Sequence, residues 1–550
     1  MAKFIKDHWI LVVILLLAIF LRFWHIATFP NGLFPDEAAN GLDVNSILHG
    51  HLQPFYPRGN GREALYFYLL AASVAVFGRG PWQHHIVSGG VGVLEVFATY
   101  FLVKRMFGKN VALLASFFMA CSSYMLMLNR NGFRANLIPL FTTLTFLFAV
   151  KFFQTPEFRT GSRAISAFLS GIFFGLGFYT YISYRMMIPL AVGMGFLLML
   201  ANRAHMRETI RRYMTPKIIF GTGFIIAFAW IGIYFVQHPD SFVGRAGQVS
   251  IFNQQLNNGD VVGTFVTVVK KTMLSFFTQG DLNWRQNVSG YPFLSPFISP
   301  FFAISLIWFT IMFFKFLWDV WRQNLHERTV YQALVAVWFW FMIVPEITTA
   351  EGIPHGLRII GVIPPIFILS AWSLHKFWIW LKQYVINRPG RVAFAVVFLG
   401  AIFYYNFYAV FTVAANSPDD YYAYRSDLTD VSNYLNARND KADTYLVLDT
   451  FSVQTTDYLT TEANQPYQLL DPASSYEANL KHNDQIVFTM STLFDSQKFC
   501  HYHPTAELVK QDINQFGLTA MTVYEQLNMP EDSCKPITNP GFNTDPNSGH

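Results

Sequence analysis

WILVVILLLAIFLRFWHIATFPNGLFPDEAANGLDVNSILHG, residues 9–50, decides how the rest of this chain is read. Its first part, Trp9 to Ile26, is apolar over a length that crosses a bilayer. Lys3 and Lys6 precede it, as basic residues do on the inner side of a first span. The run is long for a cleavable signal and has no clear small-residue cleavage site, so it reads as a retained helix with the N-terminus inside. The second part turns polar at once and carries Asp36, Glu37 and Asp43. A membrane helix that delivers three acids to the far face of the bilayer is the feature the remaining sequence has to explain.

Composition agrees with lipid as the solvent. The 550 residues are 53% hydrophobic and 17% aromatic, and only 13% are charged, against about 25% in soluble domains. The formal net charge is +5, with no dense basic run, so nucleic acid is excluded as a partner. Further apolar runs fall at 84–103, 110–128, 137–153, 164–182, 186–201, 217–236, 300–318, 329–346, 358–375 and 392–413, which makes about eleven transmembrane helices. The loops that this parity places inside carry Lys104, Arg105 and Lys109, then Arg159 and Arg163, then Arg203, Arg207, Arg211 and Arg212. Arg322 and Arg328, then Lys382, Arg388 and Arg391, continue the pattern, so every inside loop is positive. Ala64 to Phe77 is too short to span and reads as an interfacial helix.

The expected fold is therefore an all-α polytopic membrane protein with a small C-terminal α/β domain on the exoplasmic side. Residues 1–415 form the transmembrane part, with a first outer loop at 27–83 and a large outer loop at 237–299, and residues 416–550 form the outer domain. Loops of that length tend to be functional. In the outer domain TYLVLD at 444, QIVFTM at 485 and AMTVYE at 520 read as strands, and Leu428 to Leu435 and Ala506 to Phe516 as helices. The last twenty residues read as a loose tail. Of the three cysteines, Cys121 lies in an apolar run, which leaves Cys500 and Cys534 able to pair in an oxidising compartment.

An Asp-Glu pair behind a proline ordinarily caps a helix, with the acids favoured by its dipole. Here other polar groups collect on the same side. They are Arg58, Arg62 and Glu63, then Arg130, Arg134 and Asn136, and Tyr184 with Arg185. Asn283, Trp284 and Arg285 follow, with Glu351, His355 and Arg358. Outer arginines oppose the orientation signal, so they have anionic partners: nearby carboxylates, lipid headgroups, or a bound phosphate, which a guanidinium matches bidentately. A phosphate leaving a sugar is already a stable anion. One base for the acceptor, plus cations for the leaving group, is then enough, whereas a glycosidase needs a second carboxyl.

At this point the chain resembles the GT-C superfamily of membrane glycosyltransferases, and is most similar to the dolichyl-phosphate-mannose protein mannosyltransferase and aminoarabinose transferase group. The residues that carry the resemblance are LRFWHI at 21, FPDEA at 34, GREALYFYL at 61, KRMFGKNVALLASFFMACSSYMLMLNRNGFRANLI at 104, GDLNWRQN at 280 and PHGLRIIGVIPPIFILSAW at 354. It implies inverting transfer of one sugar from a polyprenyl-phosphate carrier to a protein, lipid or glycan acceptor, in a bacterial plasma membrane, on its exoplasmic side. Asp36 is then the base and Glu37 its assistant, with Arg62, Arg134, Arg285 and Arg358 as phosphate ligands and Arg58, Glu63, Asn136, Tyr184, Arg185, Asn283 and His355 completing the substrate site. Many relatives carry an acid where this chain has Asn136, which argues against a metal. The cofactor stays open, with a divalent cation at Asp36 and Glu37, and His49 and His51 nearby in sequence, as the candidate. Two other readings stand beside this one: a lipid or solute transporter, and a polysaccharide polymerase or ligase using a lipid-linked oligosaccharide.

Overall fold

The computed structural model describes residues 2–59, 61–384, 387–438, 443–460, 467–492, 495–527, 530 and 533–537. The tail expected over the last twenty residues lies largely outside them. Helices dominate: α1 (Ala2–Phe23), α2 (Pro35–Leu48), α3 (Leu65–Phe77), α4 (Pro81–Phe107), α5 (Lys109–Cys121), α6 (Ser123–Asn129), α7 (Leu137–Gln154), α8 (Thr160–Leu176), α9 (Met187–Ala201) and α10 (Met206–Gln237). Four more long ones follow at Ser299–Arg322, Glu327–Met342, Ile363–Tyr384 and Arg388–Tyr408. Among the described residues nine helical stretches are long and apolar enough to cross a membrane, or ten with α5 and α6 counted as one bent span. Each of the eleven runs read from the sequence overlaps one or more helices. The chain is an integral multi-pass membrane protein.

Two compact units divide the chain, and neither is continuous in sequence. One comprises Met1–Trp24, Leu52–Leu69 and His85–Ala414, the other His25–His51, Leu70–His84 and Ala415–His550. The first outer loop thus contributes to both.

Small residues set the helix packing of the first unit. A Cβ added at Gly171 of α8 would lie 2.1 Å from the Phe220 carbonyl oxygen, and one at Gly223 of α10 would lie 2.4 Å from that of Phe168. Without a hydrophobic driving force between helices in lipid, such backbone contact is what holds two spans together. On its other side α10 exposes Ile218, Ile225, Ile226 and Ile233, the side chains that lipid solvates. Between α5 and α6 the axis turns by 59° at Ser122. The turn frees backbone donors, and side chains meet two of them: Ser122 Oγ accepts from Met125 N (3.4 Å), and Asn406 Oδ1 accepts from Ser123 N (2.8 Å).

The second unit is built on a five-stranded sheet of order β4-β3-β5-β7-β6, where β3 is Thr444–Val447, β4 Gln468–Leu470, β5 Gln485–Thr489, β6 Ala506–Ile513 and β7 Thr519–Gln526. (Strands β1, Phe55–Tyr56, and β2, Arg62–Glu63, belong to the first unit.) β3 runs parallel to β4 and β5, while β7 runs antiparallel to β5 and β6. Both faces are covered, so the inner strands read as unbroken apolar runs. Leu446, Val487, Met521 and Val523 pack under Leu428, Val431 and Leu435 of the helix Ser426–Ala437. Val447, Ile486, Phe488 and Tyr524 face Tyr476 and Phe499.

One element departs from expectation. Ala506–Ile513 is a strand and not a helix: it closes a hairpin with β7 through Gly517, whose φ of +77° suits a residue without a Cβ. Its register slips between Leu508 and Lys510, and that bulge breaks the two-residue alternation by which a strand is recognised. Cys500 and Cys534 form a disulfide, and Cys121 is free and buried, as the sequence suggested.

Candidate active site

In the second unit, Pro35 opens α2 and the Glu37 carboxylate reaches back to accept from Phe34 N at 3.2 Å, satisfying one orphan donor of the first turn. Glu37 is fully buried and Asp36 is exposed. Neighbours in sequence, they differ in setting: Glu37 is engaged in holding the helix start, and Asp36 is open to solvent. Asp43 is buried on the same helix. His49 lies at its end, with Nδ1 2.7 Å from Asn45 O. Among the described residues no three His, Cys, Asp or Glu side chains gather as a metal-binding set. Glu37 Oε2, already engaged by Phe34, is a poor start for one.

The remaining candidates lie in the first unit. β1 and β2 form a short ladder, Phe55 opposite Glu63 and Tyr56 opposite Arg62. Gly61 closes its turn at φ +83°, with the Phe55 ring 2.5 Å from where a Cβ would sit, so only glycine fits. This hairpin presents Arg62 and Glu63, both buried, at the start of α3, while Arg58 at its tip is exposed. Arg62 lies over the Phe67 ring.

Glu63 is the centre of a three-residue cluster. Its Oε2 takes Arg134 Nε at 3.0 Å and its Oε1 takes Arg185 Nη2 at 3.1 Å. Arg134 and Arg185 stand at the beginnings of two spans, Arg134–Gln154 and Ile182–Ala201. Aromatic faces hold both guanidinium groups: Arg134 lies over Tyr181, and Arg185 over Phe242 and Phe235, at 4.6 and 5.1 Å. Two cations share one carboxylate, and Arg185 Nη1 is buried without a hydrogen-bond partner among the described residues. Tyr184 beside it is fully buried, its hydroxyl donating to Phe173 O (3.4 Å).

A second set of contacts joins three loops. Asn136 Nδ2 donates to Leu128 O (2.7 Å), Ser88 Oγ (3.1 Å) and Asn131 Oδ1 (3.2 Å), and Asn131 Nδ2 donates to Arg285 O (2.6 Å). Asn283 Oδ1 accepts from Arg285 N, and Arg285 lies over Phe133. Asp281 accepts from Asn283 N (2.8 Å) and Gly356 N (2.7 Å), while Gln286 Oε1 accepts from Leu357 N (3.2 Å). Burial pushes the Asp281 carboxyl up to about 6, although these two backbone donors and the charges of Arg285 and Arg358 pull the other way. His355 N donates to Glu346 Oε1 at 2.9 Å, and Arg358 bonds the Glu351 backbone.

The loops around 131, 285 and 356 are thus joined by hydrogen bonds that the sequence did not reveal, because Asp281, Gln286 and Asn131 act on backbone groups distant in the chain. Not every arginine singled out in the sequence is available for a ligand. Arg130 donates to the carbonyls of Leu21, Arg22 and Trp24 and so caps the end of α1. Arg22 returns the contact on Met119 O and Ala120 O at the end of α5.

Residues 64–233 match the model of the dolichyl-phosphate-mannose-protein mannosyltransferase family. No curated protein sequence matches the chain. Among solved structures it is similar to ArnT of Cupriavidus metallidurans bound to undecaprenyl phosphate, at 13% identity and a TM-score of 0.54, over 96% of this chain and 99% of that one. It is also similar to the Archaeoglobus fulgidus oligosaccharyltransferase tethered to an acceptor peptide, at 13% identity and a TM-score of 0.51, over 96% of this chain and 75% of that one. Over residues 64–233 the chain is thus similar to the mannosyltransferase family, and over nearly its whole length it shares the fold of these two solved structures.

Proposed function

We propose that this protein transfers one sugar from a polyprenyl-phosphate carrier to an acceptor hydroxyl or amine on the exoplasmic face, with inversion, using Asp36 as base. The observation that carries the proposal is the cluster around Glu63. Two largely buried guanidinium groups, Arg134 and Arg185, share that single carboxylate, and Arg185 Nη1 has no protein partner among the described residues. Cationic excess at the ends of spans suits a lipid phosphate, whose tail lies between apolar helices. The ArnT structure to which the chain is similar holds such a lipid, undecaprenyl phosphate.

In the proposed step Asp36 takes the proton of the acceptor as its oxygen or nitrogen attacks C1 of the sugar. The bond from C1 to the phosphate oxygen breaks, and the polyprenyl phosphate leaves as an anion stabilised by the arginines. No acid is needed, which agrees with an exposed Asp36 beside a Glu37 that is bonded to backbone. The disulfide agrees with an exoplasmic C-terminal domain.

The test is transfer by the full chain in nanodiscs, with polyprenyl-phosphate mannose and aminoarabinose as first donors. Asp36→Asn should insert normally and still bind the carrier, but transfer nothing. Normal transfer by that variant would remove the central claim. Likeness to an oligosaccharyltransferase favours one second reading, a lipid-linked oligosaccharide donor, and assaying both donor classes side by side separates the two.

A further inference from the structure

The helix that carries Asp36 belongs, by its packing, to the C-terminal fold. Thr455 Oγ1, on the helix Val453–Thr460, donates to Leu33 O just ahead of α2 at 2.9 Å, across 422 residues of sequence. One turn on, Tyr458 is completely buried and lies flat on α2: a Cβ at Gly41 would stand 2.5 Å from its ring. Leu33, Ala38 and Tyr458, with Leu42 and Leu459 at the edge, form a separate apolar cluster. Ala38, Gly41 and Leu42 recur at helical spacing and so mark one face of α2. Asp36, off that face, is exposed.

The far end of the ring is fixed as well. The Tyr458 hydroxyl lies 3.1 Å from His84 Nε2 at the first turn of α4, the two rings meet edge to face at 5.3 Å, and Arg79 lies over the tyrosine. Upstream, Gly32 packs against the backbone of Tyr424, where a Cβ would stand 2.3 Å from its carbonyl oxygen.

From this geometry we infer that Tyr458 is a positioning residue for Asp36, and that the C-terminal fold sets the register of the catalytic helix. The inference rests on the reading of Asp36 given above. A base must sit within hydrogen-bond reach of the proton it removes, and a displacement of about 1 Å costs up to about 100-fold in rate. A ring wedged on the α2 backbone at a glycine prevents that displacement.

The experiment uses the full chain in nanodiscs with a polyprenyl-phosphate sugar, and follows kcat, donor KM and hydrogen exchange of residues 35–48. Tyr458→Leu should lower kcat by about 10- to 100-fold while donor KM moves by less than about threefold. Amides of α2 should lose protection while those of β5 and β7 keep theirs, a division that general unfolding does not give. Tyr458→Phe, which keeps the ring, should retain most of the turnover. Gly41→Ala should lower kcat by itself, and combining it with Tyr458→Leu should recover part of that loss, because the added methyl occupies space the ring has left. If Tyr458→Leu does not fold, Gly41→Ala and Thr455→Val give the same readouts. Wild-type kcat and α2 exchange in these variants would overturn the inference, as would loss of α2 and sheet protection together. If the wild-type chain transfers no sugar from any donor, the proposed reaction fails and the exchange data still report whether Tyr458 holds α2.

Discussion

Glu63→Gln is the substitution whose effect the structure defines best. The carboxylate is buried, with its side chain 3% exposed, and it neutralises Arg134 and Arg185, whose side chains are 19% and 13% exposed. Unit charges about 4 Å apart attract by about 4 kcal/mol at an effective dielectric near 20, and two such pairs share this one group. Much of that is offset by the cost of drying the charges, so the net loss on removing one partner of a buried pair is about 3–5 kcal/mol. Glutamine keeps the shape and one acceptor oxygen but leaves both guanidinium groups uncompensated. The variant should therefore unfold at lower temperature than the wild type in a scan at fixed rate, and added polyprenyl phosphate should stabilise it more than it stabilises the wild type. The second arm is the informative one, since an anion that takes the place of a missing carboxylate must bind at the arginines. An unchanged unfolding temperature, or equal stabilisation of both proteins by the lipid, would refute the reasoning.

Three further outcomes are expected. Glu37→Gln keeps an acceptor for Phe34 N and should preserve turnover, undiminished by a chelator; inactivation as complete as that of Asp36→Asn, or loss of transfer in EDTA restored by a divalent cation, would instead make Glu37 a ligand. The Asp281 carboxyl is raised from 3.8 to about 6 in the folded protein, so its contribution to stability is full below pH 3.8 and is lost as pH rises through 6. Asp281→Asn should remove that fall, which pH-dependent unfolding of the two proteins measures by difference. Cys534→Ser should lower the stability of the C-terminal unit by about 2–4 kcal/mol, read as faster hydrogen exchange in β5 and β7 with the membrane helices unchanged.

The membrane helices were legible because each is a local pattern: an apolar run, with basic residues at alternate ends. The helix opened by Pro35, Asp36 and Glu37 was legible for the same reason. What could not be read depends on contacts without local periodicity. Thr455 bonding Leu33, Tyr458 lying on Gly41 and Asp281 holding Gly356 each join residues that nothing in their own segments connects. The strand at Ala506–Ile513 was hidden by its bulge, which spaces Leu508, Val509 and Ile513 as a helix would. Sequence cannot tell the carboxylate of Glu63, shared by Arg134 and Arg185, from the carbonyls at the end of α1 that occupy Arg130.

The bend between α5 and α6 has a consequence for how the protein is made. Ser123 N finds its acceptor in Asn406, 283 residues further along the chain, so this donor has no native partner when its span leaves the ribosome. An unsatisfied backbone group in hydrocarbon costs several kcal/mol, which the nascent chain must bear, or shield within the insertion machinery, until the last span has been synthesised. Biogenesis accordingly ends with a docking event, in which Arg388–Tyr408 closes over a kink formed long before it. A message truncated upstream of Asn406 would yield a protein with every earlier span inserted and a polar defect at its centre, the kind of lesion that membrane quality control removes.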